Sequence, residues 1–258
     1  FSFYLLFALV PLVMTPFNFE LFEFNKMILV YILTTIIIAA WLVKMVQVKK
    51  ILFRRTFLDI PLLIFLISQF LSFYLSIDPH TSLWGYYSRF HGGLLSLVAF
   101  SLLYWAFVSN INKEKTLIAI RYSLITVGLV AVYGIAEHFG IDAQYWVQDV
   151  QARVFSTLGQ PNWLAAYLVA LIPLVWSLTL KDPKPTKYYL LNMVVYTCLL
   201  FTRSRSGFLG FITAYLAFWG LITWLNQHRL KSLRKPWLLI TTAILGLTLI
   251  IGTPWAQS

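Results

Sequence analysis

Continuous apolar runs limit most strongly what this chain can fold into. Nine can be read along its 258 residues, and several approach the roughly 20 residues that an α-helix needs to cross a bilayer. Backbone in lipid must be hydrogen-bonded internally, which a helix achieves within one segment, whereas transmembrane strands alternate in polarity over about 10 residues. The runs span residues 1–14, 27–43, 57–77, 93–108, 117–136, 163–180, 188–201, 208–225 and 237–251.

Composition excludes a soluble domain. A chain that is 60% hydrophobic and 11% charged has too little polar surface to cover itself in water. We therefore predict an all-α protein, a polytopic transmembrane helical bundle that forms one domain over residues 1–258. We expect this domain to be cut at both ends, because Phe1 opens inside an apolar run and Ser258 closely follows another. The lone cysteine, Cys198, lies within a run and is interpreted as structural.

The distribution of basic residues predicts the orientation. Lys and Arg accumulate in cytoplasmic loops, and one set of alternate loops holds 15 of the 20 basic residues with three of the nine acids. The other set holds five basic and six acidic residues, so the two sides carry net charges of +12 and −1. We predict about nine spans with a cytoplasmic N-terminus. The overall charge of +11 then follows from topology, and no nucleic-acid partner is expected.

The outer loops also differ in which basic residue they carry. Four of their five basic residues are arginine, whereas ten of the 15 inner ones are lysine. Arginine binds phosphate or carboxylate in a bidentate manner and keeps its charge at any accessible pH. The pattern therefore predicts that the outer face holds an anion.

Three outer segments lead into spans and present a helix start to the exterior, where free N–H groups and the helix dipole favour an anion. They are 88–93 (Ser-Arg-Phe-His-Gly-Gly), 153–162, which ends in Gly-Gln-Pro-Asn, and 202–207 (Thr-Arg-Ser-Arg-Ser-Gly). Asn162 suits the cap of the sixth span, and Ser204 or Ser206 the cap of the eighth. The anion-binding candidates are Arg203, Arg205, Arg153 and Arg89, supported by Asn162, Ser204, Ser206, Gly207 and His91.

Simpler interpretations stand beside this one. Arginine, serine and glycine at a helix start also serve as interfacial anchors and caps. Tyr145 and Trp146 of the longest outer loop fit an aromatic belt, or else a platform for sugar rings. The outer acids, including Glu137 and Asp142, fit ordinary solvated loop residues. The four histidines, at 80, 91, 138 and 228, form no metal pattern, and we expect neither metal nor cofactor.

Three of these motifs together resemble one known family. Gly-Gln-Pro-Asn at 159–162 followed by Trp-Leu-Ala-Ala-Tyr, the segment 202–207, and Arg-Phe-His-Gly-Gly at 89–93 are similar to the O-antigen ligase and polymerase superfamily of bacterial envelope glycosyltransferases. The resemblance covers most of the chain. Arg203 and Arg205 match the Ser-Arg signature of the family, whereas Arg153 and Arg89 match more loosely.

The resemblance implies a metal-independent enzyme of the bacterial cytoplasmic (inner) membrane. Members take a glycan from an undecaprenyl diphosphate carrier at the outer face and move it to a lipid core, a growing glycan or a protein. Arginines hold the diphosphate, and a histidine of a large outer loop is the base for the acceptor hydroxyl. By this resemblance that loop and further spans lie beyond Ser258, so we expect the present fragment to be inactive alone.

Two other classes remain open. An anion transporter or channel also explains outward arginines, although it would carry polar residues through the middle of its spans and often paired, interrupted helices. A noncatalytic membrane scaffold would tolerate Lys or Gln in place of the arginines.

Overall fold

A computed structural model describes residues 1–16, 20–225 and 230–255, without the side chains of residues 230 and 231. The described ranges are predominantly helical and contain no β-strand. His228 and Arg229, which belong to a predicted inner loop, lie outside these ranges.

Ten α-helices follow one another in the described chain, and each of the nine apolar runs coincides at least in part with one of them. Their bounds are α1 Ser2–Leu9, α2 Glu23–Val48, α3 Asp59–Tyr74, α4 Pro79–Trp84, α5 Leu94–Asn110, α6 Lys113–His138, α7 Pro161–Lys181, α8 Thr186–Phe201, α9 Arg205–Leu225 and α10 Leu230–Ile251. The extra helix is α4, which the apolar pattern did not predict.

The start of α4 has a local capping motif that hydropathy does not detect. Asp78 precedes Pro79, the first helical residue, and its carboxylate accepts the Thr81 N–H at 3.2 Å and the Thr81 hydroxyl. These bonds hold the pKa of Asp78 below its usual value. An acidic cap before a proline is a common helix start, so a short helix here follows from the sequence.

Five helices are long and apolar enough to cross a membrane: α2, α6, α7, α9 and the part of α10 from Ser232 to Ile251. Two more, α3 and α5, are apolar but shorter. The all-helical prediction is confirmed for the described residues, and the chain has the character of a membrane protein. The nine crossings and their direction stay predictions.

The chain divides into two compact units, Phe1–Tyr122 and Ser123–Ser258. In the first, α2 packs along α5, and the buried core is formed by Val30, Ile37 and Trp41 against Leu103 and Ala106. The indole N–H of Trp41 donates to the Leu52 carbonyl at 2.9 Å. That bond ties the loop after α2 to this core.

In the second unit α7 is the central helix and packs against α8, α9 and α10. Trp176 of α7 is fully buried and donates its indole N–H to Asn192 Oδ1 of α8 at 2.8 Å. Phe211 and Trp219 of α9 surround the same indole. The amide of Asn192 is thus paired where an unbonded polar group would cost free energy.

The first turns of α7 and α9 approach each other closely because Gly207 has no side chain. A Cβ built at Gly207 would lie 2.4 Å from the Cβ of Ala165. Since α8 returns the chain between them, α7 and α9 start at the same end of this unit. The candidate site lies at that end.

We expect Gly207→Ala to lower the thermal stability of the purified protein, because two methyl groups would compete for one space at a cost of about 1–3 kcal/mol. Gly220→Ala on the same helix is the matched control, since its Cβ would meet no atom within 4 Å. Thermal unfolding in detergent compares the two variants. Equal melting temperatures would show that the close contact of α7 and α9 is absent in the protein.

Candidate functional site

The turn between α8 and α9 holds Arg203 in an unusual backbone conformation. Thr202, fully buried, donates its hydroxyl to the Leu199 carbonyl at 2.7 Å and accepts the Ser204 N–H at 3.2 Å. Arg203 follows with φ at 48°, in the left-handed region that glycine usually occupies just after a helix end. A non-glycine residue there costs about 1 kcal/mol. Glycine would adopt this conformation without the strain that arginine bears here.

Ser204 caps α9. Its hydroxyl oxygen accepts the Gly207 N–H at 3.1 Å, which is the usual bond of an N-cap serine. Of the two serines predicted as candidates for the cap, Ser204 is therefore the one that caps the helix. The Ser206 hydroxyl lies 3.1 Å from that of Ser204. The side chains of Arg205 and Ser206 are exposed on the first turn.

Asn162 does not cap α7, so that prediction was wrong. The helix begins at Pro161 and is preceded by Gln160, with no side-chain cap bond. Proline suits the first helical position because its φ is fixed and its missing N–H is not needed there. Asn162 Oδ1 instead accepts the Ser204 hydroxyl at 2.8 Å. The amide thereby joins the starts of α7 and α9.

Arg153 is bound to the same junction from the loop before α7. Its Nε donates to the Thr202 carbonyl at 3.2 Å, and its Nη2 lies 3.5 Å from Asn162 Oδ1. The side chain is nevertheless exposed. Two bonds to neutral acceptors orient the guanidinium without neutralising its charge.

The cluster is unbalanced in charge. Within the described ranges no carboxylate lies at ion-pair distance from Arg153, Arg203 or Arg205; the ion pairs there join other residues. The backbone N–H groups of Arg205 and Ser206, at the positive end of α9, have no described acceptor either. Arginine and a helix start in this arrangement favour an anion that presents several oxygens.

Arg89 and His91 lie in the first unit, whereas the other predicted residues lie in the second. Arg89 Nε is 3.1 Å from Glu23 Oε2, and its guanidinium lies over the ring of Tyr86. Its charge is therefore balanced, unlike the charges of the three other arginines. His91 is exposed beside Phe100. The described structure joins Arg153, Asn162, Ser204 and Ser206 in one hydrogen-bonded cluster and gives Arg89 a separate partner.

The sequence interpretation missed Glu137. It was placed among solvated loop acids, yet the side chain is fully buried at the end of α6. Its Oε2 accepts the N–H of Phe155 at 3.2 Å and of Ser156 at 2.6 Å. Ser156 has φ at 51°, so the carboxylate holds a tightly turned segment just after Arg153. One sequence feature could have indicated this burial: Glu137 directly follows the long apolar run 117–136.

Asp142 was also predicted to be a solvated loop acid, and that prediction was wrong. It is buried and accepts the Tyr133 hydroxyl and, at 2.8 Å, the indole N–H of Trp146. Trp146 in turn meets the edge of Phe155. Trp146 is therefore part of the loop packing, while its neighbour Tyr145 is exposed.

The motifs remain the basis of the family resemblance, since comparison with family models, curated proteins and solved structures gave no match. In the described ranges no group of three or more His, Cys, Asp or Glu side chains is placed to hold a metal ion.

We expect Glu137→Ala to lower the free energy of unfolding by about 2 kcal/mol or more, because two buried N–H groups lose their acceptor. Glu137→Gln keeps a side-chain oxygen for the same bonds and should be affected less. Glu114→Ala, an exposed acid on the same helix, is the control. Denaturation in mixed micelles measures all three, and equal losses for Glu114→Ala and Glu137→Ala would contradict the described role.

Proposed function

We propose that this protein transfers a glycan from an undecaprenyl diphosphate carrier to an acceptor at the outer face of the bacterial cytoplasmic membrane. The observation that supports this best is the cluster of Arg153, Arg203 and Arg205 at the start of α9, without a described carboxylate partner. In an apolar helical chain, charge of this kind is costly and usually marks a site. The motif resemblance supplies the ligand class, a lipid diphosphate.

The geometry suits a reaction in which a diphosphate leaves. When the bond from the sugar to the diphosphate breaks, negative charge grows on the bridging oxygen, and fixed donors stabilise that charge more than the ground state. Arg203 and Arg205 bind the diphosphate, and Arg153 assists from the loop. Asn162 and Ser204 hold these groups in position through their 2.8 Å bond.

The remaining roles follow the family resemblance. The acceptor is a lipid core, a growing glycan or a protein, and the base is a histidine of a large outer loop. Arg89, already paired with Glu23, is the weakest member of the proposed diphosphate site. No metal or cofactor takes part.

Nine crossings with a cytoplasmic N-terminus complete the proposal. The location of the apolar runs on helices and the charge difference between alternate loops support this topology. It exposes the segments 153–162 and 202–207 on the outer side, where the lipid-linked donor is presented.

Arg203→Gly is the sharpest test of function. Glycine removes the strain of the left-handed backbone but adds freedom to the unfolded chain, and these opposing effects are each about 1 kcal/mol. The melting temperature should therefore stay close to wild type. Transfer of a radiolabelled glycan from undecaprenyl diphosphate by the full-length protein should fall about 100-fold or more.

Arg205→Ala should also abolish transfer while the protein still inserts. Arg121→Ala is the matched control, because Arg121 is an exposed arginine in the first half of α6, on the side predicted to be cytoplasmic. Undiminished transfer in both Arg203→Gly and Arg205→Ala would exclude the proposed function. Anion flux into proteoliposomes without transfer would favour the transporter alternative.

The topology is tested through the single cysteine. Cys198 is fully buried, so the wild-type chain should react little with a membrane-impermeant maleimide. In intact spheroplasts Gln148→Cys should be labelled, while Lys184→Cys should be labelled only after permeabilisation. Both positions are exposed, so labelling in the reverse order would show that the orientation is inverted.

A further inference from the structure

His138, the last residue of α6, is a titratable side chain close to the arginine cluster that the proposed function does not use. Its ring stacks on Phe201, with ring centres 3.8 Å apart and planes 17° from parallel. Its Nδ1 lies 2.8 Å from the carbonyl oxygen of Gln151. The imidazole is thus fixed both in position and in rotation.

The bond to Gln151 determines what each ring nitrogen does. A carbonyl oxygen only accepts, so Nδ1 carries a proton and donates it. In the neutral ring Nε2 is then an acceptor, and in the protonated ring it becomes a second donor. No described residue is hydrogen-bonded to Nε2. Protonation would therefore create a positively charged donor without breaking the bond to Gln151.

The ring also lines a cavity of about 170 Å³ together with Arg203. The other lining residues are Leu200 and Phe201 at the end of α8, and Ile251, Gly252 and Thr253 at the end of α10. This volume is several times what one water molecule needs. It accommodates a tetrahedral group of five heavy atoms such as a phosphoryl group.

Several described groups lie beside His138. The turn between α8 and α9 contributes Arg203, the described end of α10 contributes the Thr253 hydroxyl, and the loop after α6 contributes the Gln151 carbonyl. Glu137, the preceding residue, directs its Oε2 to the backbone of Phe155 and Ser156. The ends of α8 and α10 present the negative ends of their helix dipoles to the cavity. These dipole ends disfavour an anion, so a second positive group beside Arg203 would strengthen its binding.

We propose that this cavity binds one tetrahedral oxyanion, a phosphoryl group, between Arg203 and protonated His138. The assignment rests on the proposed function, in which Arg203 binds the carrier diphosphate, and adds His138 as a proton-dependent partner. Protonation of the ring strengthens binding, because Nε2 then becomes a second donor that faces the anion. No covalent step is involved.

Sulfate is the appropriate probe, because it is tetrahedral and remains a dianion throughout the pH range in which histidine titrates. Its dissociation constant is measured calorimetrically on the full-length protein at about pH 5.5 and about pH 8, because imidazole is the side chain that commonly changes charge between such values. Ionic strength is held constant with chloride. Wild-type protein should bind sulfate about tenfold more tightly at the lower pH, as one charge-assisted hydrogen bond provides.

His138→Gln should reduce this pH ratio to about one, and His80→Gln, at an exposed histidine of the first unit, should leave it at about ten. His138→Phe keeps a ring to stack on Phe201 and should behave like His138→Gln. Arg203→Gly should weaken sulfate at both pH values. An unchanged ratio in both His138 variants, or no sulfate binding by wild type, would overturn the assignment.

The transfer assay separates this result from the proposed function. Glycan transfer by wild type together with pH-independent sulfate binding would remove only the role of His138. Sulfate binding that depends on His138, in a protein that transfers no glycan, would support the anion site and reject the transferase.

Discussion

The hydrogen bond between the Ser204 hydroxyl and Asn162 Oδ1, 2.8 Å long, is the contact on which the candidate site depends. It ties the start of α9 to the start of α7, and Arg153 reaches the same amide oxygen. An uncharged link suits this position, because it joins the two segments that carry Arg153, Arg203 and Arg205 without supplying a carboxylate that would compete with a ligand. The cationic cluster is organised by neutral groups.

Close packing and burial supply the rest of that organisation. The missing side chain at Gly207 lets α9 reach Ala165 of α7, and the buried carboxylate of Glu137 fixes the backbone that follows Arg153. Neither the Gly207 contact nor the Glu137 carboxylate is among the groups that would contact a ligand. The rigidity that the proposed electrostatic stabilisation would require therefore arises from helix packing next to the site and from backbone hydrogen bonds beside it.

The sequence was sufficient for what depends on local pattern. The apolar runs fall on helices, and the run ending at residue 201 stops where α8 stops, at Phe201. The sequence was insufficient for predicting hydrogen bonds between residues that lie far apart in the chain. Asn162 was expected to act on its own helix, but its partner Ser204 lies 42 residues later. A charged residue at the end of an apolar run, such as Glu137, is usually solvated. Only the fold shows that the N–H groups of Phe155 and Ser156 point toward its carboxylate.

The left-handed conformation of Arg203 has a consequence for sequence history. At most positions the loss of a functional side chain leaves little trace, because many residues then become acceptable. At this position the fold itself favours one replacement, glycine. If Arg203 binds an anion as proposed, selection would retain arginine in related proteins, and relaxed selection would admit glycine more readily than any residue with a Cβ. The residue at this single position would then distinguish lineages that retained anion binding from lineages that retained only the helical fold.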